Sequence, residues 1–335
     1  MIQKLPVFFL PVSNCYSACS GVVSILQAYD RRNPALFLNR LYLFRKPNNV
    51  LKFAFLEKTN KISLIRCNEE NICEMLVKTL NNGDYVFLYL DHYFLTASSE
   101  FHISHFLHDF TLVYGYDSER QIFYCADNFR NGKYSQAEIP GHEVTVGRST
   151  VPDSDNAQIV IFHYDRFVYN DWLDYKKIYL TMQDYMKSRF DSIIKMNPVF
   201  LSDNIFGFNN GQNCAYETCV FGIQIYDWLQ DYMKNIEIFD LRSLHLLMNH
   251  QEILLYLMEY MRRHKEIADI YKYIDILGRQ ISDCQIARNL AIKCNMQYTS
   301  DIHKRIPDII GKVYRQEYQF FEKLLSDRQI WDEIG

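Results

Sequence analysis

The hydrophobic pattern of the chain changes once, near residue 166, and this change limits the possible folds more than any other feature. Before it, runs such as "YVFLYLD", "HDFTLVYGYD" and "RQIFYCADN" have the length and the aromatic and β-branched content of strands. After it, stretches such as "LRSLHLLMNHQEILLYLMEYMRRHKE" repeat apolar residues every three or four positions, which predicts amphipathic helices. We therefore predict an α+β domain over residues 1–166, with a helix followed by an antiparallel sheet, and an all-α domain over residues 167–335.

Glycine and proline residues, which commonly end helices and strands, refine this prediction. The segment "NEENICEMLVKTLNNGD" predicts a helix that ends at Gly83, and "GKYSQAEIP" and "NAQIVIFHYD" predict two more strands. The first residues, "MIQKLPVFFLPVSN", contain a short apolar run that Pro6 and Pro11 interrupt. We expect an extended arm or a strand there rather than a signal peptide.

Composition excludes several classes of partner. The net charge of −4 gives no basic footprint for nucleic acid, and no apolar run reaches the eighteen residues or so of a membrane-spanning helix. Nine cysteines are scattered along 335 residues without the spacing of a disulfide framework. We therefore expect reduced thiols, a cytoplasmic location, and neither nucleic acid nor a membrane as partner.

Cys15 is the candidate nucleophile. Ser13 or Asn14 can cap a helix, and this puts Cys15 in the first turn. Unpaired backbone N–H groups and the positive end of the helix dipole there favour a thiolate, and the same N–H groups can stabilise an oxyanion. The alternative is a small core residue, which is our interpretation of Cys19 one turn later.

A thiol nucleophile needs an imidazole as its base, and the context selects His108 among ten histidines. His108 opens a predicted strand, and Asp127 follows at the end of the next one. A hairpin would bring the two side chains together, so that Asp127 orients the imidazole. Asp127 as a turn residue is the alternative. His105 is the reserve base, and we do not expect His102, His105 and His108 to form a zinc site.

A cysteine on the first helix, a histidine on a strand and an aspartate on the next strand resemble the papain-like cysteine fold. The segments "NCYSAC", "HDFTLVYGYD", "FYCADNFRNGKY", "FGIQIYDWLQDYM" and "IFDLRSLHLLMNHQEILL" more closely resemble the family of the butirosin biosynthesis acyltransferase. The resemblance implies a papain-like N-terminal domain with Cys15, His108 and Asp127 as the catalytic residues. It also implies transfer of an acyl or aminoacyl group from a thioester on an acyl or peptidyl carrier protein to a small-molecule amine acceptor in natural-product biosynthesis.

In this scheme the protein needs no cofactor of its own, because phosphopantetheine arrives on the carrier protein. Two departures from papain-like peptidases bear on the site. Phe9 stands where those enzymes have an oxyanion-hole glutamine, so Asn14 becomes the candidate second donor. His108 also lies seven residues before Gly115 instead of about six, which requires a β-bulge between them or a different histidine as base.

The helical half contributes weaker candidates. Tyr226 and Asp227 lie on a predicted helix with an apolar face, where core packing is the first interpretation and a place in the substrate pocket the second. We expect the helical domain to cover the active site and to exclude water. Two other functions remain open, namely a cysteine peptidase or amidase on the same scaffold and a non-catalytic scaffold or binding protein.

Overall fold

In a computed structural model, the chain is described over residues 1–11, 14–15, 17–29, 43–45, 51–53, 62–65, 72–105, 110–151, 159–164, 175–189, 220–265 and 270–332. Within these residues the protein is α+β, with an antiparallel sheet in the N-terminal half and helices in the C-terminal part. The strands are β1 (Ile2–Lys4), β2 (Leu43–Arg45), β3 (Leu51–Phe53), β4 (Ile62–Ile65), β5 (Tyr85–Leu88), β6 (Thr111–Asp117), β7 (Ile122–Arg130), β8 (Lys133–Pro140) and β9 (Ile159–Phe162).

The helices are α1 (Ser17–Tyr29), α2 (Ile72–Asn81), α3 (Gly141–Ser149), α4 (Tyr175–Met186), α5 (Ile225–Lys234), α6 (Leu241–Lys265), α7 (Tyr271–Met296), α8 (Ser300–Ser326) and α9 (Arg328–Asp332). The predicted end of α2 is confirmed, because Gly83 has a φ of 83° and its N–H donates to the carbonyl of Leu80. Helix α3 was not predicted from the sequence. Among the described residues, no helix combines the length and the apolar character needed to cross a membrane.

The main sheet follows the order β4-β9-β5-β6-β7-β8, with every pair antiparallel. Strand β6 lies in its interior. On one side β6 pairs with β7, and on the other it pairs with β5 along its first half and with β1 along its second half. The N-terminal arm is thus a strand, as predicted. The burial of all seven residues of β6 agrees with this central position.

Helix α1 packs closely on the sheet, because the side that it presents is made of small residues. Ser17, Ser20 and Ser24 are buried, and Gly21 lies among them. A Cβ added to Gly21 would lie 2.5 Å from the Phe87 ring and 3.4 Å from Leu112 Cβ. Glycine at this position therefore lets the helix backbone approach β5 and β6, and this fixes where the start of α1 meets β7.

Contacts divide the chain into two compact units. The first contains Met1–Arg31, Lys58–Asn170 and Asp203–Gln212, and the second contains Arg32–Glu57, Asp171–Ser202 and Asn213–Gly335. The β2–β3 hairpin thus groups with the helices, and its strands contact α5 and α6. The predicted domain boundary between residues 166 and 167 would instead place this hairpin in the N-terminal domain. That boundary and a helical cover over the active site stay predictions.

Candidate functional site

Cys15 lies in a bend just before the first helix. Helix α1 begins at Ser17, so Cys15 precedes the helix instead of occupying its first turn as we predicted. A shift of this size is within the ordinary spread of helix boundaries, and Cys15 still stands beside the N–H groups at the helix start. Cys15 is 7% exposed and forms no disulfide with another described residue.

Asn128 on β7 fixes the main chain of Cys15. The side-chain Nδ2 of Asn128 donates to the carbonyl oxygen of Cys15 at 3.2 Å. The Oδ1 atom of the same amide is buried and has no hydrogen-bond partner among the described residues. Since a buried amide oxygen without a donor is unfavourable, this atom is a potential acceptor for a polar group that enters the site.

Asp127 is fully buried beside Asn128 and receives hydrogen bonds from three directions. The hydroxyl of Thr111 donates to Oδ2 at 2.5 Å, and the backbone N–H of Asn128 donates to Oδ1 at 2.6 Å. The Nε2 atom of His92 lies 3.3 Å from Oδ2. A carboxylate accepts about four hydrogen bonds, so one buried carboxylate can receive all three of these donors at once.

Asp127 and Asn128 project from opposite faces of the sheet, because neighbouring residues of a strand alternate. Leu112 pairs with Ala126 and contacts α1 near Gly21, which puts this pair on the face that carries α1. Asn128, two residues after Ala126, shares that face and reaches Cys15. Asp127 lies on the other face, together with Thr111. The side chains of Asp127 and Asn128 therefore lie on opposite faces of the sheet near the end of β7.

His108 lies outside the described residues, three positions before β6 begins. The register of the neighbouring strands is nevertheless informative. Val113 pairs with Cys125, but Gly115 pairs with Tyr124, so Tyr114 is an extra residue in β6. A β-bulge here is one of the two alternatives that the spacing between His108 and Gly115 left, and a different histidine as base is the other. The role of His108 as the base, and its pairing with Asp127, stay predictions.

The reserve base, His105, contacts a different carboxylate. Its Nδ1 lies 2.7 Å from Oδ2 of Asp91, a residue that is 4% exposed, while His105 itself is 66% exposed. Its ring stacks on the ring of Tyr93, and the two ring centroids are 4.2 Å apart. Among the residues that the structure describes, no cluster of side chains could hold a metal ion.

The oxyanion candidates lie at the start of α1. Asn14 is half-buried and directly precedes Cys15. Phe9, which replaces the glutamine of papain-like peptidases, is 52% exposed. The backbone N–H groups near Ser17 are the donors that the helix itself offers. The assignment of Asn14 to an oxyanion hole stays a prediction.

Tyr226 and Asp227 belong to the second unit and differ in their surroundings. Tyr226 is fully buried on α5, and its hydroxyl donates to Glu317 on α8. This contact favours the core-packing interpretation of Tyr226. Asp227, the next residue, is exposed. A role in substrate binding stays a prediction for both residues.

Other cysteines help to separate a reactive thiol from inert ones. Cys125 on β7 is fully buried, and burial together with the charge of Asp127 raises the pKa of its thiol. Cys73 on α2 is half-buried, and its Sγ donates to the carbonyl of Gly141 at 3.4 Å. Cys125 is thus a structural residue, whereas Cys73 is an accessible thiol away from Asp127.

Sequence reasoning missed His92, Thr111 and Asn128. None belongs to a motif with a spacing of its own, and each acquires its place only when β5, β6 and β7 pair. Asn128 offered the one available signal, since it directly follows Asp127 in "CADN". No family model matches the sequence, and no curated protein matches it significantly.

Proposed function

We propose that the protein is a cysteine-dependent acyltransferase with a papain-like N-terminal domain. It takes an acyl or aminoacyl group from a carrier-protein thioester and passes it, through a thioester on Cys15, to an amine acceptor in natural-product biosynthesis. The observation that carries this proposal is the hydrogen bond from Asn128 to the carbonyl of Cys15. It fixes the main chain of the thiol-bearing residue beside the start of a helix, and the amide that donates it directly follows Asp127 along β7.

Transfer requires two attacks on a carbonyl carbon. In the first, the Cys15 thiolate adds to the thioester of the carrier protein, and His108 gives its proton to the departing phosphopantetheine thiol. In the second, the amine adds to the Cys15 thioester, and its proton passes to His108 as the Cys15 thiolate leaves. The ion pair of thiolate and imidazolium is then restored. The N–H groups at the start of α1 support the oxyanion in both steps.

A thioester substrate fits the oxyanion donors of this chain better than an amide. The side chain of Phe9 offers no hydrogen-bond donor at the position of the papain-like glutamine. A thioester carbonyl is already activated and needs less stabilisation in the transition state. This reasoning favours acyl transfer over a cysteine peptidase or amidase. The carrier protein and the reduced thiols imply a cytoplasmic reaction.

Mass spectrometry of the intact protein tests the proposal. The protein is incubated with an acyl-loaded carrier protein, and we expect a mass increase of one acyl group in the wild type and in Cys73→Ala. Cys15→Ala should show none. Cys73 is the matched control because it is a free thiol with more exposure than Cys15. Acylation that survives Cys15→Ala, or that disappears in Cys73→Ala, would contradict the assignment of Cys15.

The residue that orients His108 is a separate question, because Asp127 and Asn128 are adjacent on β7 and each side chain can accept an imidazole N–H. Asp127→Asn and Asn128→Ala distinguish them. If Asp127 orients the base, Asp127→Asn loses acylation rate by about 10²-fold or more, while Asn128→Ala loses less. The opposite order would assign the role to Asn128, whose Oδ1 would then accept the imidazole N–H. Rapid-quench measurement of the acylation step gives both rates.

Amine dependence separates transfer from hydrolysis. A transferase releases the acyl group from Cys15 faster when an amine acceptor is added, whereas a peptidase or amidase needs only water. A scaffold protein predicts a third outcome, in which Cys15 reacts with iodoacetamide no faster than an ordinary thiol at neutral pH. Fast alkylation of Cys15 combined with amine-dependent release supports the proposed function against both alternatives.

A further inference from the structure

His92 links Ser98 to the buried carboxylate of Asp127. Its side chain is 1% exposed and lies in the short 3₁₀ turn that follows β5. The Nδ1 atom is 3.0 Å from Oγ of Ser98, and Nε2 is 3.3 Å from Oδ2 of Asp127. The ring also stacks on Phe129, with centroids 5.5 Å apart and an interplanar angle of 22°. Neighbours therefore fix both the polar edges and the face of this ring.

The partners of His92 determine its tautomer. An ionised carboxylate only accepts hydrogen bonds, so the contact with Asp127 requires a hydrogen on Nε2. Nδ1 is then an acceptor for the hydroxyl of Ser98, and Oγ of Ser98 accepts in turn from the backbone N–H of Glu100 at 3.1 Å. With its hydrogen on Nε2, His92 thus links the backbone N–H of Glu100, the hydroxyl of Ser98 and the carboxylate of Asp127 in one chain of hydrogen bonds.

We propose that His92 is a positioning residue for the reaction at Cys15, because it keeps the carboxylate of Asp127 ionised and correctly oriented. This inference rests on the proposed function, in which Asp127 orients the base. His92 does not itself exchange protons with the substrate, since both of its ring nitrogens are engaged. Its contribution is one of the hydrogen bonds that compensate for the burial of Asp127.

Loss of the His92 donor has a direction that can be predicted. With one donor fewer, the buried carboxylate is harder to keep ionised, so Asp127 takes up a proton at higher pH. A protonated Asp127 stabilises the imidazolium form of the base less, and the Cys15 thiolate then forms only at higher pH. The acidic limb of the pH profile at Cys15, where the rate falls as the thiolate is protonated, therefore moves to higher pH.

Two substitutions of His92 give a matched pair. His92→Phe keeps a flat ring against Phe129 but removes both hydrogen bonds. In His92→Gln, the amide N–H can donate to Asp127 and the amide oxygen can accept from Ser98. We measure the rate of Cys15 alkylation by iodoacetamide as a function of pH, with thermal unfolding of each variant as the folding control.

For His92→Phe, we expect the acidic limb to move to higher pH and the rate at neutral pH to fall about tenfold, as expected for a hydrogen bond to a charged group. His92→Gln should keep the limb of the wild type. A purely structural His92 would lower the unfolding temperature of His92→Phe without moving the limb. If His92→Phe does not fold, Ser98→Ala replaces it, and a limb that stays in place would again overturn the inference.

The hydrogen position provides a second readout that does not depend on activity. Nitrogen NMR at neutral pH should show His92 with its hydrogen on Nε2, assigned by the loss of that signal in His92→Gln. A hydrogen on Nδ1 would overturn the inference. A wild type without any limb at Cys15 would overturn the proposed function and this role together. A wild-type limb that is unchanged in folded His92→Phe would overturn the role of His92 alone.

Discussion

Two carboxylates, Asp127 in the first unit and Glu317 in the second, are both fully buried and hydrogen-bonded, yet their neighbours differ. Asp127 is bound by Thr111, His92 and its own neighbour Asn128, all in or next to one sheet. Glu317 on α8 is bound by side chains from three other helices. These are Tyr185 on α4 (2.5 Å), Tyr226 on α5, and His250 (3.0 Å) and Gln251 on α6.

This difference shows that burial and hydrogen bonding do not by themselves identify a functional carboxylate. Glu317 joins four helices of the second unit. A described thiol that interacts with it, Cys284, has its pKa raised by burial and by the charge of Glu317, which disfavours a thiolate there. Asp127, in contrast, stands one residue from the amide that holds Cys15. We therefore expect Glu317 to govern stability and Asp127 to govern chemistry.

The largest expected effect is on folding, from Glu317→Leu. The substitution removes the acceptor for four buried donors, and breaking a buried charged network typically costs about 3–5 kcal/mol. Chemical denaturation measures this loss, and Glu322→Leu is the matched control. Glu322 lies on the same helix but is exposed, so its replacement should change the free energy of unfolding by about 0.5 kcal/mol or less.

A companion variant sharpens this prediction. Tyr185→Phe and Tyr226→Phe added to Glu317→Leu remove two of the donors left without an acceptor, so the triple variant should be more stable than Glu317→Leu alone. Equal stability of the two variants would contradict the view that unpaired donors cause the loss.

The second prediction concerns Asp127, whose replacement should affect the reaction at Cys15 more than it affects folding. Asp127→Asn should reduce the rate of Cys15 acylation by about 10²-fold or more, with a loss of stability of about 1–3 kcal/mol. Asp117→Asn is the matched control, since Asp117 is also buried, at the end of the neighbouring strand β6, and accepts from the N–H groups of Glu119 and Arg120.

Asp117→Asn should lower stability but leave the acylation rate of the folded protein within about threefold of the wild type. Equal rate losses in the two variants would mean that Asp127 acts only through folding. The comparison with Glu317 would then fail, because both carboxylates would be structural.

The sequence predicted the elements of both units better than it predicted the partners within the site. Strand alternation and helical periodicity are local, so β5, β6, β7 and the long helices α6, α7 and α8 follow from them. Helix α3 was missed because "GHEVTVGRS" has neither a capping residue nor a clear apolar stripe. The β2–β3 hairpin was missed as well, and it groups with helices that are distant in sequence.

The residues of the candidate site also differ in whether a local sequence signal marks them. Cys15 and Asp127 stood out because each lies beside a recognisable local signal, namely a helix start and a strand end. His92 contacts Asp127 across 35 positions of sequence, and Asn128 reaches Cys15 across 113. Such contacts depend on how β7 pairs and where α1 lies, and no local pattern encodes them.

A third prediction compares glycines of the two units. In Gly21→Ala, the new methyl group would lie 2.5 Å from the buried ring of Phe87, so we expect a loss of about 1–3 kcal/mol by overpacking. The shift of α1 should also slow alkylation of Cys15. Gly278→Ala on α7 is the control, because its Cβ meets no atom within 4 Å.

Gly278→Ala should raise stability by about 0.5–1 kcal/mol, since alanine is the better residue in an exposed helix. Thermal unfolding measures both changes. Two changes of the same sign would contradict the close approach of α1 to the sheet.

The smallest expected effect is the pH dependence that Glu317 gives to folding. Burial alone raises the pKa of this carboxyl group, but His250 and the hydroxyls of Tyr185 and Tyr226 outweigh it, so the pKa lies below its ordinary value of 4.5. A lowered pKa in the folded state stabilises the protein above the unfolded pKa, and this contribution is lost as the pH falls through the folded pKa. Burial and the charge of Glu317 raise the pKa of both tyrosines, which stay neutral throughout this range.

Chemical denaturation of wild type and Glu317→Gln between pH 7 and pH 3 isolates this contribution, because glutamine does not ionise and other groups cancel in the difference. The advantage of the wild type should stay constant above about pH 5 and shrink below pH 4.5, by at most about 1.4 kcal/mol per pH unit. The exposed Glu322→Gln should give a difference that hardly depends on pH. An advantage that persists unchanged to pH 3 would mean that Glu317 is already protonated in the folded protein. The network in the helical unit would then be a set of neutral hydrogen bonds, and Asp127 would be the one ionised carboxylate of the pair.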